Sequence, residues 1–305
     1  MTATTSAPRR APIARLALLG LLALLTPLQA CSDGDAGAPV LRITALPDHR
    51  TTELDPKYSA VAAALSEELG VAVEYVPVAD YGASVAAFKG GDVQLAWFGG
   101  VTGVQARAAV PGARVIACGR TDLEFRSSFV ANVSLGLERS GAFPSGLEGV
   151  RFSFGNADST SGRVMPEHFV RVETGGPPEA FFGEINLNGG KHPIVARNVE
   201  TGAWDAGVLN YRTYADLVER GDIDPARCVE IWQTPTYADY NWTAHPALDE
   251  TFGAGFVDRL QSALVGITDP ALLDALQRPE GLVAADNDDF RALAELCEEL
   301  GLVSG

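Results

Sequence analysis

The chain is short of several things. Its 305 residues include 4 cysteines and 2 methionines, too few cysteines for a disulfide-built scaffold. Basic charge is also scarce: 23 lysines and arginines face 39 acidic residues, for a formal net charge of −16. Without a basic stripe to follow a phosphate backbone, nucleic acid is not an expected partner. The four histidines, at 49, 168, 192 and 245, show no paired metal spacing, and Cys118, Cys228 and Cys297 lie far apart with no C-x-x-C. They leave room for one disulfide and one free thiol without choosing the pair. There is no G-x-G-x-x-G after a strand, no phosphate-binding loop ending in Gly-Lys-Ser/Thr, no G-x-S-x-G and no S-x-x-K. No cofactor, no metal and no catalytic residue is therefore expected. Apolar residues make up 47 % of the chain, ample for a sizeable core, which excludes wholesale disorder.

No apolar run reaches the roughly 20 residues of a membrane-spanning helix. Leu16 to Leu25 is a run of ten, preceded by Arg9, Arg10 and Arg15 and stopped by Thr26-Pro27, the layout of a signal peptide. Leu28-Gln29-Ala30-Cys31 resembles a bacterial lipobox. That resemblance implies a signal peptide over 1–30 and a lipidated Cys31 as mature N-terminus; plain secretion with cleavage near Ala30 is the simpler alternative. The mature chain would carry 20 basic and 39 acidic residues, a net −19. Residues 31–38 are small and polar and read as a flexible tether. A soluble domain is thus expected at an extracytoplasmic membrane face.

Beyond the tether, short apolar runs alternate with helical patterns. Tyr58, Val61, Leu65 and Leu69 share one helix face in a segment starting at Asp55 and ending at Gly70. The alternation predicts α/β architecture with parallel sheets. The rhythm restarts near Val150, and the last fifty residues read as helices. Two lobes are expected, one from 39–130 plus 238–305 and the other from 131–237, joined by two crossover segments. Ligands of open α/β sheets sit beyond the carboxyl ends of the strands, so facing lobes make a cleft.

One segment stands out chemically. Phe154-Gly-Asn-Ala-Asp-Ser-Thr-Ser-Gly162 runs from a strand through a polar loop to a helix start. Ser159, Thr160 and Ser161 read either as an ordinary helix cap or as an anion site formed by hydroxyls and free amides.

Taken in order, the motifs resemble the phosphonate/phosphite family of ABC-transporter substrate-binding proteins. They are Phe154-Gly-x3-Ser-Thr-Ser-Gly162 with Pro166, Asp92-Val-Gln-Leu-Ala-Trp-Phe-Gly99, Asp80-Tyr81, Gly190-Lys191-His192 and Asp205-Ala-Gly-Val-Leu-Asn210. Thr234-Pro-Thr-Tyr-Ala-Asp-Tyr-Asn-Trp-Thr243, with Leu46-Pro-Asp48 and Phe98-Gly-Gly100, is similar to a branch associated with selenate transport. The resemblance spans about 40–302 and implies a type II periplasmic-binding-protein fold that closes around a small oxyanion such as selenate, phosphite or a phosphonate. The implied partners are an ABC permease and its ATPase, with the binding protein a monomer.

Carried over by position, Ser159, Thr160 and Ser161 would clamp the anion, and Tyr81 and His192 would add donors from opposite lobes. Gly99, Asn210 and Tyr240 are further candidate contacts within the matched segments. Phe125-Arg126 departs from the family's tyrosine; Arg126 reads either as a partner for the oxyanion or as a solvent-facing residue. Trp97 and Phe98 read either as cleft wall or core, or as direct ligand contacts. Asp205 reads as a turn residue or as the acceptor of a ligand proton. A lipid-anchored enzyme acting on a small phospho-compound, and an oxyanion sensor, are the alternative functions.

Overall fold

Leu54, Tyr58, Val61 and Leu65 recur at helical spacing and all are buried. They form the inward stripe of a helix, Thr51–Leu69, that Gly70 stops at φ 68°, a backbone region that costs glycine no Cβ clash. The helix begins four residues before the expected start and runs through Pro56, which lacks an amide donor. The structure, a computed structural model, describes residues 38–303 apart from residue 188. The expected signal peptide and Cys31 lie outside the described residues.

The first run of elements is β1 (Val40–Ala45), α1 (Thr51–Leu69), β2 (Ala72–Tyr75), α2 (Tyr81–Gly90), β3 (Leu95–Phe98), α3 (Gly100–Ala109) and β4 (Arg114–Gly119). The second is β5 (Ser127–Asn132), β6 (Arg151–Ser153), α4 (Met165–Thr174), α5 (Pro178–Phe181), β7 (Glu184–Asn186), α6 (His192–Glu200), β8 (Ala206–Asn210), α7 (Tyr211–Glu219) and β9 (Cys228–Gln233). The chain ends with β10 (Asn241–Ala244), α8 (Leu248–Phe252), α9 (Phe256–Val265), α10 (Pro270–Ala275), β11 (Leu282–Ala284) and α11 (Arg291–Glu299).

Among the described residues the strands form two sheets, ordered β11-β4-β10-β3-β1-β2 and β7-β6-β8-β5-β9. The first is built from both ends of the chain and the second from its middle; each carries a lobe. The expected boundary at 130/131 falls inside β5, which already belongs to the second sheet. The sheets are mixed, not parallel as expected. β10 runs antiparallel to β3 and β4, β11 antiparallel to β4, and β5 antiparallel to β8 and β9. For β5 and β10 the cause is the double crossing: a strand entering a lobe from the other lobe arrives without a helical crossover to set it parallel. The two crossings run side by side, with Phe125 and Tyr237 exchanging backbone hydrogen bonds of 2.8 and 3.0 Å.

Each lobe has its own apolar core. Trp242, Leu41, Ile43 and Phe256 anchor the first, and Phe129, Phe152 and Phe154 the second; burying each such side chain contributes roughly 1.5–3 kcal/mol. Val164 and Met165 of the second lobe pack into the first lobe's cluster, so the lobes meet face to face. Cys118, Cys228 and Cys297 are free thiols buried in separate clusters. The room left for a disulfide is not used.

Candidate functional site

The Ser-Thr-Ser segment sits where β6 hands over to α4. Thr160–Val164 winds as one π-helical turn, a feature frequent at functional sites, and Met165 continues it as α-helix. Ser159 caps the turn, its Oγ accepting the Gly162 amide at 3.0 Å. The Thr160 and Ser161 amides open the helix, where no carbonyl precedes them to accept.

Around this start a ring of polar groups crosses the cleft. Ser159 faces the Tyr81 phenol of the first lobe. A Cβ on Gly162 would lie 3.2 Å from His192 Cε1, so the absence of a side chain there lets the imidazole approach. His192 Nδ1 accepts the Asn210 amide at 3.4 Å, and Asn210 Nδ2 donates to the Tyr240 hydroxyl at 3.2 Å. Tyr240 then donates to Asp48 Oδ2 at 2.6 Å, and Asp48 acts electrostatically on Tyr81 and closes the ring. Tyr81, Asp48 and Tyr240 come from the first lobe; Ser159, His192 and Asn210 come from the second. All six side chains are buried.

Burial decides the charge states. Desolvation pushes the His192 imidazole down to about 4, against an opposing pull from Asp48, so it is neutral at pH 7. Because Nδ1 accepts, the proton is assigned to Nε2, and that buried N–H has no hydrogen-bond partner. Desolvation also raises the Tyr81 and Tyr240 phenols well above the ordinary range. They stay protonated and can donate.

A second set of contacts lies behind the ring. Thr160 Oγ1 accepts the Val101 amide at 3.0 Å and stands beside the Asp239 carboxylate, whose ionised form it favours. Asp239 also accepts the Gly100 amide at 2.8 Å. A Cβ on Gly99 would lie 3.5 Å from both Asp239 Oδ1 and Thr160 Oγ1 and 3.2 Å from Leu46. The tight neighbour is Leu46, whereas Thr160 and Asp239 stand at ordinary contact distance, so Gly99 lies against the site without offering a side chain to it. Burial raises Asp239 to about 7, partly countered by Gly100 and Thr160.

Of the nine residues expected at the site, eight gather here. Ser161 is buried beside the Tyr237 phenol. Arg126 does not gather: it is exposed, because the neighbouring Phe125 turns into the core. Asp205 is held by Arg151 at 2.7 Å, so its role is to pin β8 to β6. Trp97 stacks on Tyr240 at 5.7 Å and forms the wall, whereas Phe98 is core, edge-on to Phe88. Asp48 and Asp239 were not expected as participants, and neither was Arg278, which packs on the Trp97 and Tyr240 rings. Asp48 was visible only as a member of Leu46-Pro-Asp48, and Arg278 carried no motif.

The family model for the periplasmic phosphonate substrate-binding protein of ABC transporters matches residues 43–290. The chain belongs to that family. It is 33 % identical over 271 residues to a probable ABC transporter phosphite-binding protein, PhnD1, of Prochlorococcus marinus, covering 87 % of this chain and 91 % of the relative. A phosphate-import protein, PhnD, of Mycolicibacterium smegmatis is 27 % identical over 252 residues, 76 % of each chain. The structure of the Prochlorococcus protein in complex with methylphosphonate superposes with a TM-score of 0.79 at 34 % identity, over 86 % of this chain and 98 % of that one. A binding component of a Pseudomonas aeruginosa phosphonate transporter reaches 0.71 at 18 % identity, over 85 % and 86 %. The architecture is accordingly the type II periplasmic-binding-protein fold. The family is one of binding proteins, not enzymes, and it works outside the cytoplasm with a permease and an ATPase.

Proposed function

We propose that this substrate-binding protein captures a small phosphorus oxyanion, phosphite or a simple phosphonate, between its lobes. The observation that carries the reading is the single carboxylate of the ring. The Thr160 and Ser161 amides, His192 Nε2–H and Tyr81 are donors suited to any tetrahedral oxyanion. Asp48, with Oδ2 taken by Tyr240, would repel a fully ionised anion but accepts a hydrogen bond from one that keeps an O–H. Alkylphosphonates keep one near neutral pH and phosphite keeps one in part; selenate and sulfate do not. The site thus favours the phosphorus acids over selenate. Four or five charge-assisted bonds of roughly 1.5–3 kcal/mol each, less ordering costs, reach micromolar affinity, about −8 kcal/mol. A thermal-shift screen of phosphite, methylphosphonate, phosphate, sulfate and selenate tests this. A bound anion at a hundredfold its Kd adds about 2.7 kcal/mol of stability, and a shift with selenate alone would reject the reading.

We further infer that lipidation of Cys31 holds the protein at the membrane and that the closed, loaded form is what the permease receives. Cys31→Ala is expected to move the protein from the membrane fraction to the soluble fraction with the domain still folded. Retention of the variant in the membrane would exclude the anchor.

A further inference from the structure

Arg278 is almost fully buried, and so is its partner Asp122. Asp122 Oδ2 accepts Arg278 Nε at 2.7 Å and the Gly119 amide at 2.7 Å. Local backbone geometry is arranged to bring the arginine inward. Gln277 holds a positive φ of 55°, a conformation uncommon outside glycine, and turns the chain at the end of α10. Arg278 Nη1 donates to the Gln277 carbonyl at 2.8 Å. Gly119 supplies the space: a Cβ there would lie 2.4 Å from Arg278 Cδ and 2.5 Å from Asp122 Oδ2.

The guanidinium packs against the back of the binding site. Its Cζ lies 4.8 Å from the Tyr240 ring centroid and 5.1 Å from that of Trp97, within cation–π range of two rings that stack on each other. Arg278 Nη2 and Asp122 Oδ1 are buried without partners. A pair kept for stability alone would be expected to satisfy these atoms, since replacing a buried ion pair by apolar groups is often neutral or stabilising.

We propose that Arg278 is a positioning and charge-setting residue of the anion site. It fixes the Tyr240–Trp97 wall, so that the Tyr240 hydroxyl meets Asp48 and Asn210 together, and it places positive charge behind that wall without touching the ligand. The need for it is visible in the local charges. Asp48 and Asp239 border the site and His192 is neutral, so Arg278 is the buried cation against this wall. This proposal rests on the reading of the cleft as an oxyanion site.

The test compares Arg278→Met, Arg278→Lys, Asp122→Asn and the double variant Arg278→Met/Asp122→Asn by calorimetric titration with methylphosphonate, after thermal melts establish folding. Arg278→Met and the double variant should bind at least tenfold more weakly, about 1.4 kcal/mol; Arg278→Lys should recover part of the loss. Asp122→Asn keeps the guanidinium and removes its counter-charge, and should bind as tightly as wild type or more so. A structural pair would not split in this way. The proposal fails if the folded double variant binds like wild type, or if Asp122→Asn weakens binding as much as loss of the arginine. Should Arg278→Met not fold, Asp122→Asn and the double variant still decide. Failure of the wild-type protein to bind methylphosphonate or phosphite would overturn the oxyanion reading itself, and this proposal with it.

Discussion

The Val101 amide donates to Thr160 Oγ1 at 3.0 Å, a bond from one lobe to the other. The hydroxyl expected to grip the anion thus takes part in a contact between the lobes, and it also stands beside Asp239, whose ionised form it favours. On the proposed reading, the Thr160 backbone amide is what remains for the ligand.

Thr160→Ala should therefore weaken binding of every anion by a similar amount, about 1 kcal/mol or roughly fivefold, the net worth of one hydrogen bond. Thr160→Ser should restore most of it. Calorimetry with phosphite and methylphosphonate checks both variants; a loss confined to one ligand would mean that the hydroxyl touches that ligand.

A second fastener lies at the rim. Arg212 of the second lobe reaches Glu280 of the first at 3.0 and 3.1 Å and also donates to Thr121. Glu280 is partly exposed, and pairs of this kind are worth roughly 0.2–1 kcal/mol. Glu280→Gln should raise Kd by a small factor, about two to five, uniformly across ligands. The difference from wild type should shrink in high salt, which screens an exposed pair more than buried contacts. An unchanged ratio between low and high salt would contradict an ionic latch.

Asp239 and His192 load opposite slopes onto stability. Burial raises Asp239 to about 7 in the folded protein, so its contribution is complete below the unfolded value, near 3.9, and is lost as pH rises through 7. Burial lowers His192 to about 4, so its contribution is present above about 6.5 and is lost as pH falls toward 4. Between about pH 4.5 and 6.5 the two slopes, each up to about 1.4 kcal/mol per pH unit, oppose and largely cancel. Relative to wild type, Asp239→Asn should make stability rise with pH across that window, and His192→Gln should make it fall. Urea denaturation at several pH values reads both signs; the same slope change in both variants would refute these protonation states.

Much of this was legible in the sequence because periodicity is local. The shared face of Tyr58, Val61 and Leu65 and the stop at Gly70 need no tertiary information. β10 was not legible: Asn241 and Thr243 are polar yet fully buried, satisfied by Arg107 Nη1 from α3 at 3.3 and 3.2 Å. That partner is more than a hundred residues distant. The Ser-Thr-Ser segment was legible as a strand-to-helix junction, but the division between ligand and closure depends on Val101 and Asp239. Arg278 carries no motif at all. Its importance arises from the turn at Gln277 and the notch at Gly119, which only the folded chain brings together.

On the proposed reading, Asp48 makes this a site for oxyanions that keep a proton. Calorimetric titration of wild type and Asp48→Asn with methylphosphonate and with sulfate at pH 7 tests it most directly. Wild type should bind methylphosphonate and discriminate against sulfate by at least tenfold, about 1.4 kcal/mol. The asparagine variant, which no longer sets a charge against a dianion, should lose most of that discrimination. Equal binding of both anions by wild type, or unchanged discrimination in Asp48→Asn, would contradict it.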